Sequence, residues 1–265
     1  MSVERLDSLE ADSFNPSSSG EGSAEATPEA VLDIALKKFA EIGFHDTKLE
    51  AIARESGMSK RMIHYHFGDK KGLYHRCLVL AVQRLRPSVQ ELELESTVPV
   101  DGVRKVVEAV FNRYAANPEA IRLLALENLM HYANVKEMQP LVDQSAITLQ
   151  LDKLLMLGQD AGAFRPGISA QDVFTLIASL SVFRVLSQET TINLYNIDMM
   201  DESNTKGMAR MAAEGVLAFL TSHLKTGDQI SYLTTIASAE AGESLEHQAY
   251  DSNDSSYDIS PDLFN

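Results

Sequence analysis

Lys60, Arg61 and His64 stand one and four residues apart, a spacing that puts a lysine, an arginine and an imidazole on one face of a helix. Such a face supplies the cations and hydrogen-bond donors that phosphate oxygens and base edges accept, and a helix lodged in a major groove presents that kind of face. Neighbouring residues raise two other chemistries. His64, His66 and His75 invite a metal, but side chains two apart on a helix point in different directions, and no cysteine or carboxylate completes a ligand set. Cys77 with His75 invites a nucleophile and its base. These too are two apart, and Cys77, the one cysteine of the chain, adjoins the apolar run Leu78-Val79-Leu80 and reads as a small buried hydrophobe. The sequence has no phosphate-binding glycine loop, no GxGxxG and no G-x-S-x-G. No catalytic residue, metal or cofactor is expected, and an enzyme is not the reading.

Charge bears on which partner such a face meets. The 265 residues carry a formal net charge of −15, which by itself argues against nucleic acid, because attraction to phosphate dominates that kind of binding. The distribution is uneven. Residues 28–86 hold eleven basic and seven acidic groups, whereas residues 1–27 hold one and six, residues 87–225 eleven and seventeen, and residues 226–265 none and eight. The single basic segment is the one containing Lys60, Arg61 and His64.

The elements that must position this face are helical. Pro28 suits a first turn, and Leu32, Ala35, Leu36 and Phe39 follow as one apolar stripe ended by Gly43. A short helix is predicted from about Lys48 to Glu55 with Thr47 as its N-cap. Ser56-Gly57-Met58 is a turn, Ser59 caps a third helix, and Asp69 caps a fourth. Ala53, Gly57 and Ile63 supply what two steeply crossing helices need: a small contact residue, a turn residue tolerant of positive φ, and an apolar anchor. Leu49 and Ile52 extend the buried face of the first of these helices, and Phe67 that of the second. The set amounts to a helix-turn-helix.

With Gly43-Phe44, Thr47, Ile52-Ala53, Gly57-Met58-Ser59, Tyr65-His66-Phe67 and Lys70-Lys71-Gly72-Leu73 in this order, the sequence resembles the TetR family of transcriptional regulators over about residues 28–75. His64, where Tyr is common, and Met62, where a small polar residue is frequent, depart from the family pattern. The resemblance implies that Thr47 and Lys48 touch phosphate, that Lys60, Arg61, His64 and Tyr65 face the groove, and that His66 and Lys70 clamp backbone phosphates. It implies a homodimer on a palindromic duplex operator, a small-molecule effector, repression rather than activation, and a bacterial cytoplasmic setting. The last two helices of each subunit are expected to form the dimer interface.

The predicted architecture is all-α, with a three-helix helix-turn-helix domain followed by a helical bundle, about nine helices in all. Residues 1–26 read as a disordered tail, 27–75 as the DNA-binding domain, 76–225 as the effector and dimerisation domain, and 226–265 as an acidic, solubilising, disordered tail. There is no apolar run long enough for a membrane span and no secretory signal pattern. Asn117-Pro118 and Ser169-Ala170-Gln171-Asp172 are further helix starts. A helix from about Ala170 to Gln188 is apolar on nearly all sides and should be covered on nearly all sides. The last long helix, from about Ser203 to Leu224, carries Gly215, Ala213 and Ala218, which permit close approach of another helix, with Phe219 beside them. Polar groups among apolar neighbours mark a candidate effector pocket: Arg122, Glu127, His131 and Arg184, with Tyr114, Phe174 and Phe183 as candidate lining. The competing function is a helical protein-interaction module without specific DNA binding, which the basic segment disfavours.

Overall fold

The computed structural model describes residues 27–92, 98–142, 145–222 and 232–233. These form helices throughout: α1 Pro28–Asp46, α2 Leu49–Ser56, α3 Lys60–Phe67, α4 Lys70–Leu85, α5 Val89–Leu92, α6 Pro99–Ala116, α7 Pro118–Met130, α8 Ser145–Asp160, α9 Ala170–Leu186, α10 Gln188–Tyr195 and α11 Glu202–Thr221. A single 3-10 turn, Val135–Glu137, follows α7, and no strand occurs among the described residues. Eleven α-helices stand among the described residues against about nine expected, and α5, with four residues, is too short to show a period in the sequence.

The caps at Ser59, Asp69 and Ser169 form as expected. Ser59 accepts the Met62 amide at 3.3 Å, Asp69 the Gly72 amide at 2.7 Å, and Ser169 and Asp172 exchange a reciprocal capping box. Two others are corrected. Thr47 does not cap α2; its side chain is fully buried, and its hydroxyl donates to the Gly43 carbonyl at 2.7 Å and the Lys38 carbonyl at 3.3 Å. It seals the end of α1, where the backbone leaves the helix at Gly43 (φ 78°). Asn117 gives α7 no side-chain cap; its amide donates to the carbonyls of Arg84 and Arg113, closing the ends of α4 and α6.

The first three helices share their core with α4. Val31, Leu36, Phe39, Ile52, Ile63, Leu73 and Tyr74 are buried together. Ion pairs Lys38–Glu55 and Arg84–Asp33 tie α1 to α2 and to α4. Behind them α7 packs on both α1 and α4, and α6 is packed against α8, α9 and α11. No single helix among the described residues is long and apolar enough to cross a membrane.

Most of the two expected tails lies outside the described residues. Within the second, Tyr232 and Leu233 are held against the bundle: their amides donate to Asp172, and Arg165 lies over the rings of both Phe219 and Tyr232.

Candidate nucleic-acid interface and core

The helix-turn-helix is built around Gly57, whose φ of 70° is the left-handed conformation that lets α2 turn directly into α3. The Ser56 hydroxyl fastens the turn by accepting the Met58 amide at 3.3 Å. Ile63 and Ile52 are buried on the inner faces of α3 and α2. At the other end of α3, the chain passes so close to itself that a Cβ on Gly72 would stand 2.2 Å from the Phe67 carbonyl oxygen. Backbone on backbone cannot yield at that distance, so the angle between α3 and α4 depends on this glycine.

Burial of Ile63 leaves Lys60, Arg61, His64 and Tyr65 outside, all four exposed and Tyr65 at 78%. His66 is exposed as well, its ring against those of Tyr65 and Phe67, and the His64 Nδ1 lies 2.6 Å from the Gly68 carbonyl oxygen. Lys48 is exposed at the start of α2. Lys60 reaches across to α2, where its Nζ is 2.5 Å from Glu50 Oε1, and this hydrogen bond holds the Glu50 carboxyl below the usual carboxylate range. Lys60 therefore has a partner before any phosphate arrives. Lys70 is half-buried, with its Nζ 3.0 Å from the His45 carbonyl oxygen and 4.8 Å from the centre of the Phe44 ring, and burial lowers its pKa. Of the eight residues implied for DNA contact, Lys48, Lys60, Arg61, His64, Tyr65 and His66 are exposed and Lys70 is half-buried. Thr47 is the other, and its buried side chain belongs to the corner.

An aromatic cluster that the sequence reading passed over joins this head to the rest. Phe39, Phe44 and Tyr74 meet at centroid distances of 5.0–6.0 Å, and Tyr132 packs on Phe44 at 5.3 Å and His45 at 4.9 Å. Tyr132 follows His131, which ends α7 in the left-handed conformation (φ 53°). Its only trace in the sequence is position, just past the end of α7.

The polar residues expected to mark a pocket separate into different roles. Glu127 is buried and accepts amides from Ala133 (3.0 Å), Asn134 (2.9 Å) and Val135 (3.4 Å), so it closes the loop after α7. His131 is exposed at the C-cap of α7, where its amide donates to the Glu127 carbonyl at 2.8 Å, while the Glu127 carboxylate turns to the loop amides. Arg122 and Phe174 are half-buried. Tyr114 is 9% exposed, and burial raises the pKa of its hydroxyl. Phe183 lines no core; it is 53% exposed on the outside of α9. Arg184 is 2% exposed, with Nε and Nη2 3.3 and 3.1 Å from the Met199 carbonyl oxygen, Nη2 also donating to Thr205, and the guanidinium carbon 5.6 Å from the centre of the Phe111 ring. Cys77 is buried, and that burial pushes its thiol pKa well up, as suits an inert core residue.

The expectation that α9 is covered on nearly all sides fails within one chain. Phe183 and Leu186 on α9 and Met211 on α11 are each about half exposed, and Gly215 has open space where a Cβ would stand. Phe219 is not on this open face, since Arg165 and Tyr232 cover it, and Ala213 is buried within the chain.

Comparison with known proteins agrees with this geometry. Residues 31–77 match the family model described as bacterial regulatory proteins, tetR family, and residues 99–216 match the tetracyclin repressor-like C-terminal domain. The HTH-type transcriptional repressor NicS of Pseudomonas putida is 28% identical over 180 residues, 68% of this chain and 85% of that protein. The HTH-type transcriptional repressor SCO4008 of Streptomyces coelicolor is 25% identical over 164 residues, 61% and 80% of the two chains. A solved regulatory protein of the tetR family from Rhodococcus RHA1 shares the fold with a TM-score of 0.54 at 18% identity, covering 77% of this chain and all of that one. The two family models meet the chain at its exposed basic helix-turn-helix and at the helical bundle behind it, and together they span more than half of its length; the chain belongs to the TetR family and is a DNA-binding transcriptional regulator.

Proposed function

We infer that the chain acts as a homodimeric repressor that reads a palindromic operator with α3 of each copy and releases it when a small molecule binds in the domain behind. The observation that carries the DNA half is the exposed row Lys60, Arg61, His64 and Tyr65 on a helix whose opposite side is anchored by buried Ile63. Arg61 and Lys60 are the donors for base edges; Lys48, His66 and Lys70 are placed for phosphates on either side. Lys70 stands at the N-terminus of α4, where free amides also favour an anion. Thr47 supports this surface from beneath.

Support for a dimer comes from the open apolar face of α9 and α11. Burying it against a second copy removes Phe183, Leu186 and Met211 from water, and Gly215 admits a close helix. A two-fold dimer carries two α3 helices and so reads two symmetric half-sites. Two relatives are named as repressors, which favours repression here. Such a protein works beside the chromosome, in the bacterial cytoplasm.

The test is fluorescence anisotropy with duplexes tiled across the DNA upstream of the gene and of its neighbours. One duplex should bind far more tightly than the rest, contain an inverted repeat, and lose affinity steeply as salt rises, because Lys and Arg displace counterions from phosphate. Equal affinity for every duplex, or a flat response to salt, overturns the reading.

A further inference from the structure

Arg184 is the largest fully buried side chain of the described residues, and it is charged. Its Nε and Nη2 have the Met199 carbonyl and the Thr205 hydroxyl, both neutral acceptors, while the buried Nη1 has no hydrogen-bond partner. None of the ion pairs of the described residues involves it. A guanidinium kept from water without a counter-anion is among the least favourable arrangements in a protein interior, since burial strengthens the demand for opposite charge. The surroundings do not explain it as packing. Phe111 presents its ring from α6, Ser181 spends its hydroxyl on the Ile177 carbonyl one turn away, and Asp198, exposed and hydrogen-bonded to Gln188 and the Met200 amide, acts on the guanidinium only through its charge.

We propose that Arg184 is the anchor for the carboxylate of a small organic acid, which is the effector class of this regulator. The proposal rests on the effector reading given above. A carboxylate accepts from Nη1 and completes the charge, and guanidinium geometry suits two-oxygen acceptors. The acid occupies the region bounded by Phe111 on α6, Arg184 on α9 and the turn that runs from Met199 into the first turn of α11 at Thr205. Since that turn is held by Arg184 itself, a carboxylate arriving at the guanidinium competes with or tightens the hold on α11, and α11 packs on α6 and α9. The selectivity follows: an amide of the same shape brings no charge and leaves the guanidinium uncompensated.

The experiment is thermal melting of the full-length protein with formate, butyrate and benzoate at millimolar concentration, each beside its own amide, followed by operator binding with the same compounds. At least one acid should raise Tm by about 3 °C or more while its amide does not. Arg184→Met should abolish that shift, and Arg184→Lys, which keeps the charge but not the fork, should weaken it about tenfold in apparent affinity. Acids that behave as their amides, or a shift that survives in Arg184→Met, overturn the proposal. Should Arg184→Met fail to fold, Arg184→Lys decides the matter: an acid that binds that variant as tightly as the parent overturns the proposal. The operator assay separates the two levels. An acid that binds through Arg184 without loosening the operator leaves the carboxylate site standing and removes the effector reading; an amide that releases the operator while its acid does not does the reverse.

Discussion

The two halves of the molecule handle polarity in opposite ways. In the head, α1 to the start of α4, charged groups lie outside and the buried interior is apolar apart from Thr47 and Ser56. In the bundle, Phe183 and Leu186 on α9 and Met211 on α11 stand exposed, beside charged Arg210 and Glu214, while Glu127, Asp172, Ser181, Arg184 and Thr191 are inside. A surface that must meet a polyanion shows cations, and its scaffold need only be rigid. On the proposed function, the bundle meets a second copy and a small molecule, and such a region leaves apolar side chains exposed and keeps its few polar groups for internal use. The position of a side chain relative to its helix therefore means something different in each half.

The comparison predicts where one substitution does most damage. Gly215→Glu puts an unpaired carboxylate on the open face of α11, twice per dimer, at a cost of roughly 3–5 kcal/mol if the face is buried. Sedimentation should show monomers with unchanged helicity and poor operator binding. An intact dimer would place the interface elsewhere and blur the contrast between the halves. Ile63→Ala tests the head from inside. It opens a cavity beneath α3 and should lower stability by about 2–5 kcal/mol, seen in melting, with DNA binding lost as a consequence.

Arg61→Ala tests the same helix from outside. It should weaken operator binding by about 1–3 kcal/mol while Tm and dimerisation stay as they were. Normal affinity for the operator would remove Arg61 from the contact surface. The smallest effect belongs to a pair at the join. Arg113 and Ser88 hold the Glu91 carboxyl down to about 2. Since its folded pKa lies below its unfolded value, the pair's contribution is present at neutral pH and disappears as pH falls from about 4.3 towards the folded value. Both side chains are more than a third exposed, so solvent screens the pair and the contribution is slight. The Tm difference between the parent and Arg113→Met should be small at neutral pH and fade as the pH falls through the folded value. A difference that grows in acid would contradict the assignment.

What the sequence made legible follows the same division. In the head, Ser59, Asp69, Gly57 and Ile63 each act within a few residues of their own position, and local rules suffice. Thr47 misled because a threonine between two helices can serve the end of one or the start of the other, and which it serves depends on the turn at Gly43. Asn117 posed the same ambiguity with three helix ends in reach. In the bundle, a helix apolar all round has no phase, so nothing in α9 told Phe183 outside from Val173 inside. Glu127 and His131 stand four apart, but His131 is the left-handed C-cap of α7 and the Glu127 carboxylate turns to the loop amides. Arg184 stood out in the sequence as a charge among apolar residues, but its unfilled Nη1 depends on Met199 and Thr205, 15 and 21 residues away.

The close approach at Gly72 makes a stiff joint of the α3–α4 corner. α4 then behaves as a lever with the recognition helix welded to its tip. Its 16 residues span about 24 Å. A tilt of about 10° at the bundle end sweeps the far end through roughly 4 Å, more than the ~3 Å length of a hydrogen bond. Gly72→Ala would spoil the weld before it spoiled the fold of either helix. The mechanical advantage of the molecule is thus set by a single missing methyl group.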